Sequence, residues 1–168
     1  MTKLKRLLQF LIIGLVVAIV AIQFVGPARS NPITPAAQAV EAHLQLNPQV
    51  SSILGRSCGD CHSNKTRWPW YSRVAPVSWF VIDHVNEGRE HLNFSEWGRY
   101  DTSEREEMLE HICKEVKSGA MPLSSYTRLH SDAILSPDDQ RALCDWANSQ
   151  RDLSMRDGKG KANEDEDR

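Results

Sequence analysis

Alternation of apolar and polar residues, the mark of a half-buried strand, is missing throughout this 168-residue sequence, which argues for an all-α fold with long loops. An excess of basic charge is missing too. Lys and Arg total 20 against 22 Asp and Glu, and Lys3, Lys5 and Arg6 crowd the N-terminus. Setting those three aside leaves 17 basic against 22 acidic side chains. This mildly acidic remainder argues against nucleic-acid binding, which calls for a basic face. Cysteines number only four, too few for a disulfide-dense scaffold. A second C-x-x-C or an H-x-H pair, the usual completion of a structural zinc site, is absent. No βαβ setting exists to carry a thiol redox centre, and no internal repeat is visible.

One long apolar run is present. Residues 7–25 are interrupted only by Gln9 and Gln23, and as a helix they would span roughly 28 Å, close to the hydrocarbon thickness of a bilayer. The basic residues before the run predict a cytoplasmic end at 1–6, with everything after Val25 exported across the inner membrane to the periplasm or cell exterior. A cleaved signal peptide with Gly26-Pro27-Ala28 as its cleavage site is the alternative, but its apolar core would be shorter, about 7–15 residues.

Residues 26–34, with Pro27 and Pro32, read as a linker, and 35–150 as the domain. Thr34-Pro35 predicts a weak helix through Leu46, and Asn47-Pro48 opens another that runs toward Cys58. Residues 63–77 read as an aromatic loop. A helix is predicted from Ser78 to Asn86 with Gly88 ending it, while 89–100 lack clear periodicity. Ser103 and Glu106 suggest a capping box for a helix that buries Leu109, Ile112, Cys113 and Val116 and stops at Gly119. Ser136-Pro137 opens a last helix, and from Arg151 to residue 168 the charged sequence reads as a disordered tail.

Cys58-Gly59-Asp60-Cys61-His62 carries the chemistry. C-x-x-C-H is the attachment motif of c-type haem. Two intervening residues in a helical turn bring both thiols to one edge of the porphyrin, and the next residue aims its imidazole at the iron. Zinc lacks further ligands here, and a thiol redox pair lacks its usual strand. The motif therefore implies one covalent haem c, with Cys58 and Cys61 as thioethers and His62 as the proximal iron ligand.

Met121 is the strongest candidate for the distal ligand, because Pro122 holds it in extended backbone within a loop, and methionine ligation raises the reduction potential. A histidine (His43, His84, His91, His111 or His130) or an open iron remains an alternative. Met108 reads as core filling and Met155 as solvated. Arg67-Trp68-Pro69-Trp70-Tyr71-Ser72-Arg73 follows the motif directly. Arg67, Trp68, Trp70 and Tyr71 could wall the porphyrin edge, and Arg67 or Arg73 could hold its propionates; the same rings could equally pack an ordinary core. Cys113 and Cys144 lie on the apolar faces of two predicted helices. In an oxidising compartment a disulfide is favoured over two buried free thiols.

From about Asn47 to Ala147 the sequence resembles the bacterial haem-binding-domain family. The resemblance rests on Cys58-Gly59-Asp60-Cys61-His62-Ser63-Asn64, Thr66-Arg67-Trp68-Pro69-Trp70-Tyr71-Ser72, Ala75-Pro76-Val77-Ser78-Trp79, Gly88-Arg89, His91-Leu92-Asn93-Phe94-Ser95-Glu96-Trp97 and Met121-Pro122. The tryptophan-rich run is far more specific than the haem motif alone. The resemblance implies a c-type haem on an N-terminal anchor, and Cys113 and Cys144 fall outside its pattern. Together these readings give a small cytochrome c-like helical domain behind one transmembrane helix. It would pass electrons to a redox partner protein and not act as an enzyme. A haem sensor or peroxidase-like protein with an open iron is the alternative, and a thiol oxidoreductase a more remote one.

Overall fold

The N-terminal apolar run folds as helix α1 (Thr2–Ile22), and its large side chains point away from the rest of the chain. By length and apolar character α1 can cross a membrane. The computed structural model describes residues 2–166, with side chains over 3–154. It is all-helical, with no strand among the described residues. Five further helices follow: α2 (Pro48–Ile53), α3 (Val77–His91), α4 (Thr102–Ser118), the single turn α5 (Ser124–Thr127) and α6 (Pro137–Glu166).

Local chemistry sets most of the helix ends. Asn47 accepts a hydrogen bond from the Val50 N–H at 2.8 Å, and Pro48 starts α2 with its φ already helical. The capping box of α4 is formed by Asp101 and Glu104, not by the expected Ser103 and Glu106. Both pairs have the right spacing. Asp101 prevails because Tyr100 and Asp101 stay extended after the turn Phe94–Arg99, so the chain becomes helical two residues earlier. Gly119 ends α4 at φ 74°, a left-handed conformation that glycine adopts without a Cβ clash. Ser136 and Asp139 cap each other reciprocally at the start of α6.

Three further expectations differ from the structure. Instead of one helix over 35–46, two 3-10 turns form at Ala36–Gln38 and Val40–Ala42, separated by extended Ala39. The break lets Val40 enter the core while both turns pack on the Phe94–Arg99 segment. Gly88 does not end α3, which continues to His91. The backbone after Arg151 continues α6 as far as Glu166, where the sequence suggests an irregular tail.

The core joins Val50 and Ile53 of α2, Phe94 and Trp97, Leu109 and Ile112 of α4, and Leu143 and Trp146 of α6. A buried disulfide between Cys113 and Cys144 ties α4 to α6. Residues 26–34, the expected linker, lie docked along the loop 66–79. Arg29 donates to the Ser72 carbonyl at 2.8 Å, Asn31 Nδ2 to the Thr66 carbonyl at 2.9 Å, and Trp68 Nε1 to Asn31 at 3.2 Å.

The disulfide closes a loop of about thirty residues, so replacing both cysteines by serine is expected to cost about 2–4 kcal/mol of unfolding free energy. A urea titration monitored by tryptophan fluorescence measures it, and an unchanged midpoint would show that the crosslink contributes nothing.

Candidate functional site

Helix α2 leads straight into a wide π-turn, Leu54–Cys58, in which the Gly59 N–H reaches back to the Leu54 carbonyl at 2.8 Å. Such widened turns often accompany functional residues. The His62 N–H donates to the Cys58 carbonyl at 2.9 Å, so residues 58–62 form one closed turn. Cys58, Cys61 and His62 face a cavity of about 560 Å³ that Met121 also lines, a volume within the usual range for small-molecule sites. Leu92, Phe94, Ile112, Val116, Leu123 and Leu135 make much of its wall apolar, while His84, Glu87, His91, His111 and Glu115 add titratable groups.

The ring of His62 is fixed by a backbone contact. Its Nδ1 lies 3.1 Å from the Leu92 carbonyl. A carbonyl cannot donate, so Nδ1 carries the proton and Nε2 keeps its lone pair, the arrangement that orients a histidine for metal ligation. Burial lowers the proton affinity of this imidazole, partly offset by hydrogen bonding to the Leu92 and Gly88 backbone. The ring is therefore neutral and able to ligate.

The thiols are equally telling. Burial, reinforced by Cys61 and opposed by Arg56, pushes Cys58 up to about 12. Burial together with the Asp60 charge, opposed by Arg89, pushes Cys61 up to about 11. Thiol–disulfide catalysts need an accessible thiolate near neutral pH, and these thiols stay protonated there. The C-x-x-C pair thus lacks the electrostatics of a redox dithiol.

Asp60, inside the motif, points away from the cavity wall and gathers the surrounding loops. Its carboxylate accepts the Arg67 N–H at 3.0 Å, the Arg67 side chain at 3.3 Å and the Tyr126 hydroxyl at 2.8 Å. Arg67 is thereby held against Asp60 and does not line the cavity. The structure does not bring Trp68, Trp70, Tyr71 or Arg73 to the cavity either. Trp68 binds Asn31, Trp70 is exposed, and the Tyr71 hydroxyl lies 2.7 Å from His130 Nε2. Gly59 and Asp60 turn the chain so that everything from Ser63 to Arg73 runs behind the motif, toward residues 29–31.

Of the remaining histidines, His43 contacts the Ala37 carbonyl and His130 stacks on Tyr126, both outside the cavity. His84, His91 and His111 border it. His84 shares one property with His62: its Nδ1 lies 2.8 Å from a carbonyl, that of Phe80, so its Nε2 is also free. Met108 packs on the core and also reaches the cavity. Among the described residues no group of three or more His, Cys, Asp or Glu converges as an ion-binding cluster.

Sequence reasoning missed the Leu92 carbonyl, Tyr126 and the true role of Gly88. The first is backbone and leaves no residue-type signal, and Tyr126 is a lone ring in a loop. Gly88 sits where α3 crosses the motif, and a Cβ there would stand 2.9 Å from the Cys61 carbonyl oxygen. Its place beside Arg89 was the available clue, because Arg89 binds the Ser63 carbonyl at 2.8 Å and Thr66 Oγ1 at 2.8 Å.

The donor set fits a haem: two thiols and a free imidazole nitrogen from one turn, a thioether on the same cavity, and a largely apolar wall. Gly88→Ala is expected to destabilise the domain by about 1–3 kcal/mol through overpacking and to reduce haem incorporation. Urea unfolding and haem content per chain measure both, and wild-type values for both would show the crossing to be loose.

The comparisons with known proteins agree with this geometry. A family model described as "Haem-binding domain" matches residues 17–149, covering the motif, α3, α4, Met121 and the first part of α6. No curated protein and no solved structure matches the chain. With most of its length matched, the chain belongs to the haem-binding domain family.

Proposed function

We propose that this protein is a membrane-anchored, monohaem c-type cytochrome-like electron carrier whose haem domain lies on the periplasmic or outer side of the inner membrane. The observation that carries the reading is the convergence of Cys58, Cys61, His62 and Met121 on one cavity. Each residue then has a definite part. Cys58 and Cys61 tether the porphyrin by thioether bonds, and His62 offers Nε2 from a ring that Leu92 keeps from turning. Met121 offers its sulfur from the loop after α4, where its N–H is held by the Glu115 carbonyl at 3.1 Å. The apolar part of the wall would pack on a bound porphyrin. A bound haem would supply an iron that exchanges one electron, and methionine ligation would set its potential high. The raised thiols and the family match support this role over thiol exchange. Lys3, Lys5 and Arg6 in the first turns of α1 support the outward orientation of the domain.

A second reading is favoured by His84, whose Nε2 is free and which borders the same cavity. In that case two imidazoles would hold the iron and Met121 would only pack.

Protein expressed with haem-attachment machinery should keep its haem on a denaturing gel and gain the mass of one haem. The bare polypeptide mass under those conditions would refute covalent attachment. Met121→Ala should retain the haem yet abolish the methionine-sulfur-to-iron absorption band of the oxidised protein. Should that spectrum stay unchanged while His84→Ala alters it, the distal ligand is His84.

A further inference from the structure

Beyond the cavity, one group of side chains is left unused by the haem reading. Trp70, Val74, Val77 and Phe80, with Phe24 and Val25, are all large, apolar and between 45% and 85% exposed. They are far apart in sequence but are brought together by paired contacts. Gln23, the residue following α1, donates to the Ala75 carbonyl at 3.2 Å and accepts from the Ala75 N–H at 2.9 Å. Two residues further on, the Val25 carbonyl accepts from Trp79 Nε1 at 2.8 Å. Gly26, at φ 153°, sits so close to this indole that a Cβ would come within 2.3 Å of its nitrogen. Residues 70–80 are thus fastened to the point where α1 ends.

Resting on the reading of α1 as an uncleaved span, we infer that Trp70, Val74, Val77 and Phe80 form a lipid-facing patch. It seats in the outer bilayer interface and fixes the domain's posture on the membrane. The occupant follows from position. With the charged residues Lys3, Lys5 and Arg6 left on the inner side, residues 7–25 rise roughly 28 Å, close to the hydrocarbon thickness. Gln23 to Val25, and Ala75 with them, therefore lie where the outer hydrocarbon meets the head groups. Exposed aromatic and aliphatic groups held at that level match the aromatic belts of membrane proteins, and a hydrophobic surface there is continuous with the span's own. Arg73, exposed within the patch, is placed to reach anionic head groups. The same placement sets the cavity's height. Phe80 and His84 are one turn apart on α3, so one wall of the cavity lies a single helical turn from the patch.

The test uses the full-length haem-loaded protein in vesicles of phosphatidylethanolamine and phosphatidylglycerol. In the holoprotein the four native cysteines are bonded, so a single introduced cysteine can be spin-labelled. Val77→Cys and Val74→Cys labels should meet dissolved oxygen and be shielded from a water-soluble nickel complex. Their oxygen-to-nickel collision ratio should exceed that of Lys114→Cys on α4 several-fold. A Val16→Cys label reports the span itself, and the haem spectrum reports that each labelled chain is folded. Nickel reaching positions 74 and 77 while Val16 is protected overturns the patch alone. Nickel reaching Val16 overturns the span and the patch together. Shielding of 74 and 77 from both reagents shows that protein, such as a second copy of the chain, covers them, and overturns the lipid assignment.

Discussion

The site depends on a helix crossing a tight turn at a position with no side chain. Gly88 lets α3 rest on the Cys61 backbone, and from there the chain needs only four residues to deliver the Leu92 carbonyl to His62. The Phe94 N–H then returns to the His62 carbonyl at 2.8 Å, so both the ring and the backbone of the histidine are held by one short stretch. Pre-organisation of this kind matters for a metal ligand, since a free imidazole would have to choose tautomer and orientation on binding.

Around that crossing lies a polar lattice that substitutes for a larger core. Asn64 donates to Thr34 and Glu96 and accepts from Asn93, while Arg89 spans Ser30, Asn31, Ser63 and Thr66. Asn64, Thr66, Asn93 and Ser95 are buried, and buried polar groups stabilise only when satisfied. Here each has a partner, and the result is a loop region as determined in its geometry as the helices. It also explains why the run from Ser63 to Ser72 is so rich in hydrogen-bonding residues and yet contributes nothing to the cavity wall.

Much of this was legible in the sequence, and the failures have physical causes. The all-helical class, the apolar N-terminal helix and the pairing of Cys113 with Cys144 could be read from periodicity and residue type. The C-x-x-C-H turn could be read because its chemistry is local. That the aromatic residues after it do not line the cavity could not be read, because nothing in Trp68 or Tyr71 reveals that Asp60 will pin Arg67 behind the motif. Gly88 looked like a helix stop when it was a contact surface; a glycine chosen for closeness and one chosen for backbone freedom carry the same letter. The shift from Ser103 to Asp101 at the start of α4 reflects two equally good capping signals separated by tertiary context.

The four cysteines divide into two pairs with opposite fates. One pair is oxidised across α4 and α6, while the other must stay reduced if it is to add to a porphyrin. Both would experience the same oxidising surroundings, where four thiols allow three ways to pair. Folding itself sorts them. Joining Cys113 to Cys144 in a buried position takes those sulfurs out of exchange, and burial pushes the Cys58 and Cys61 thiols up, toward the protonated form. The crosslink thus acts as a guard, leaving the second pair chemically available.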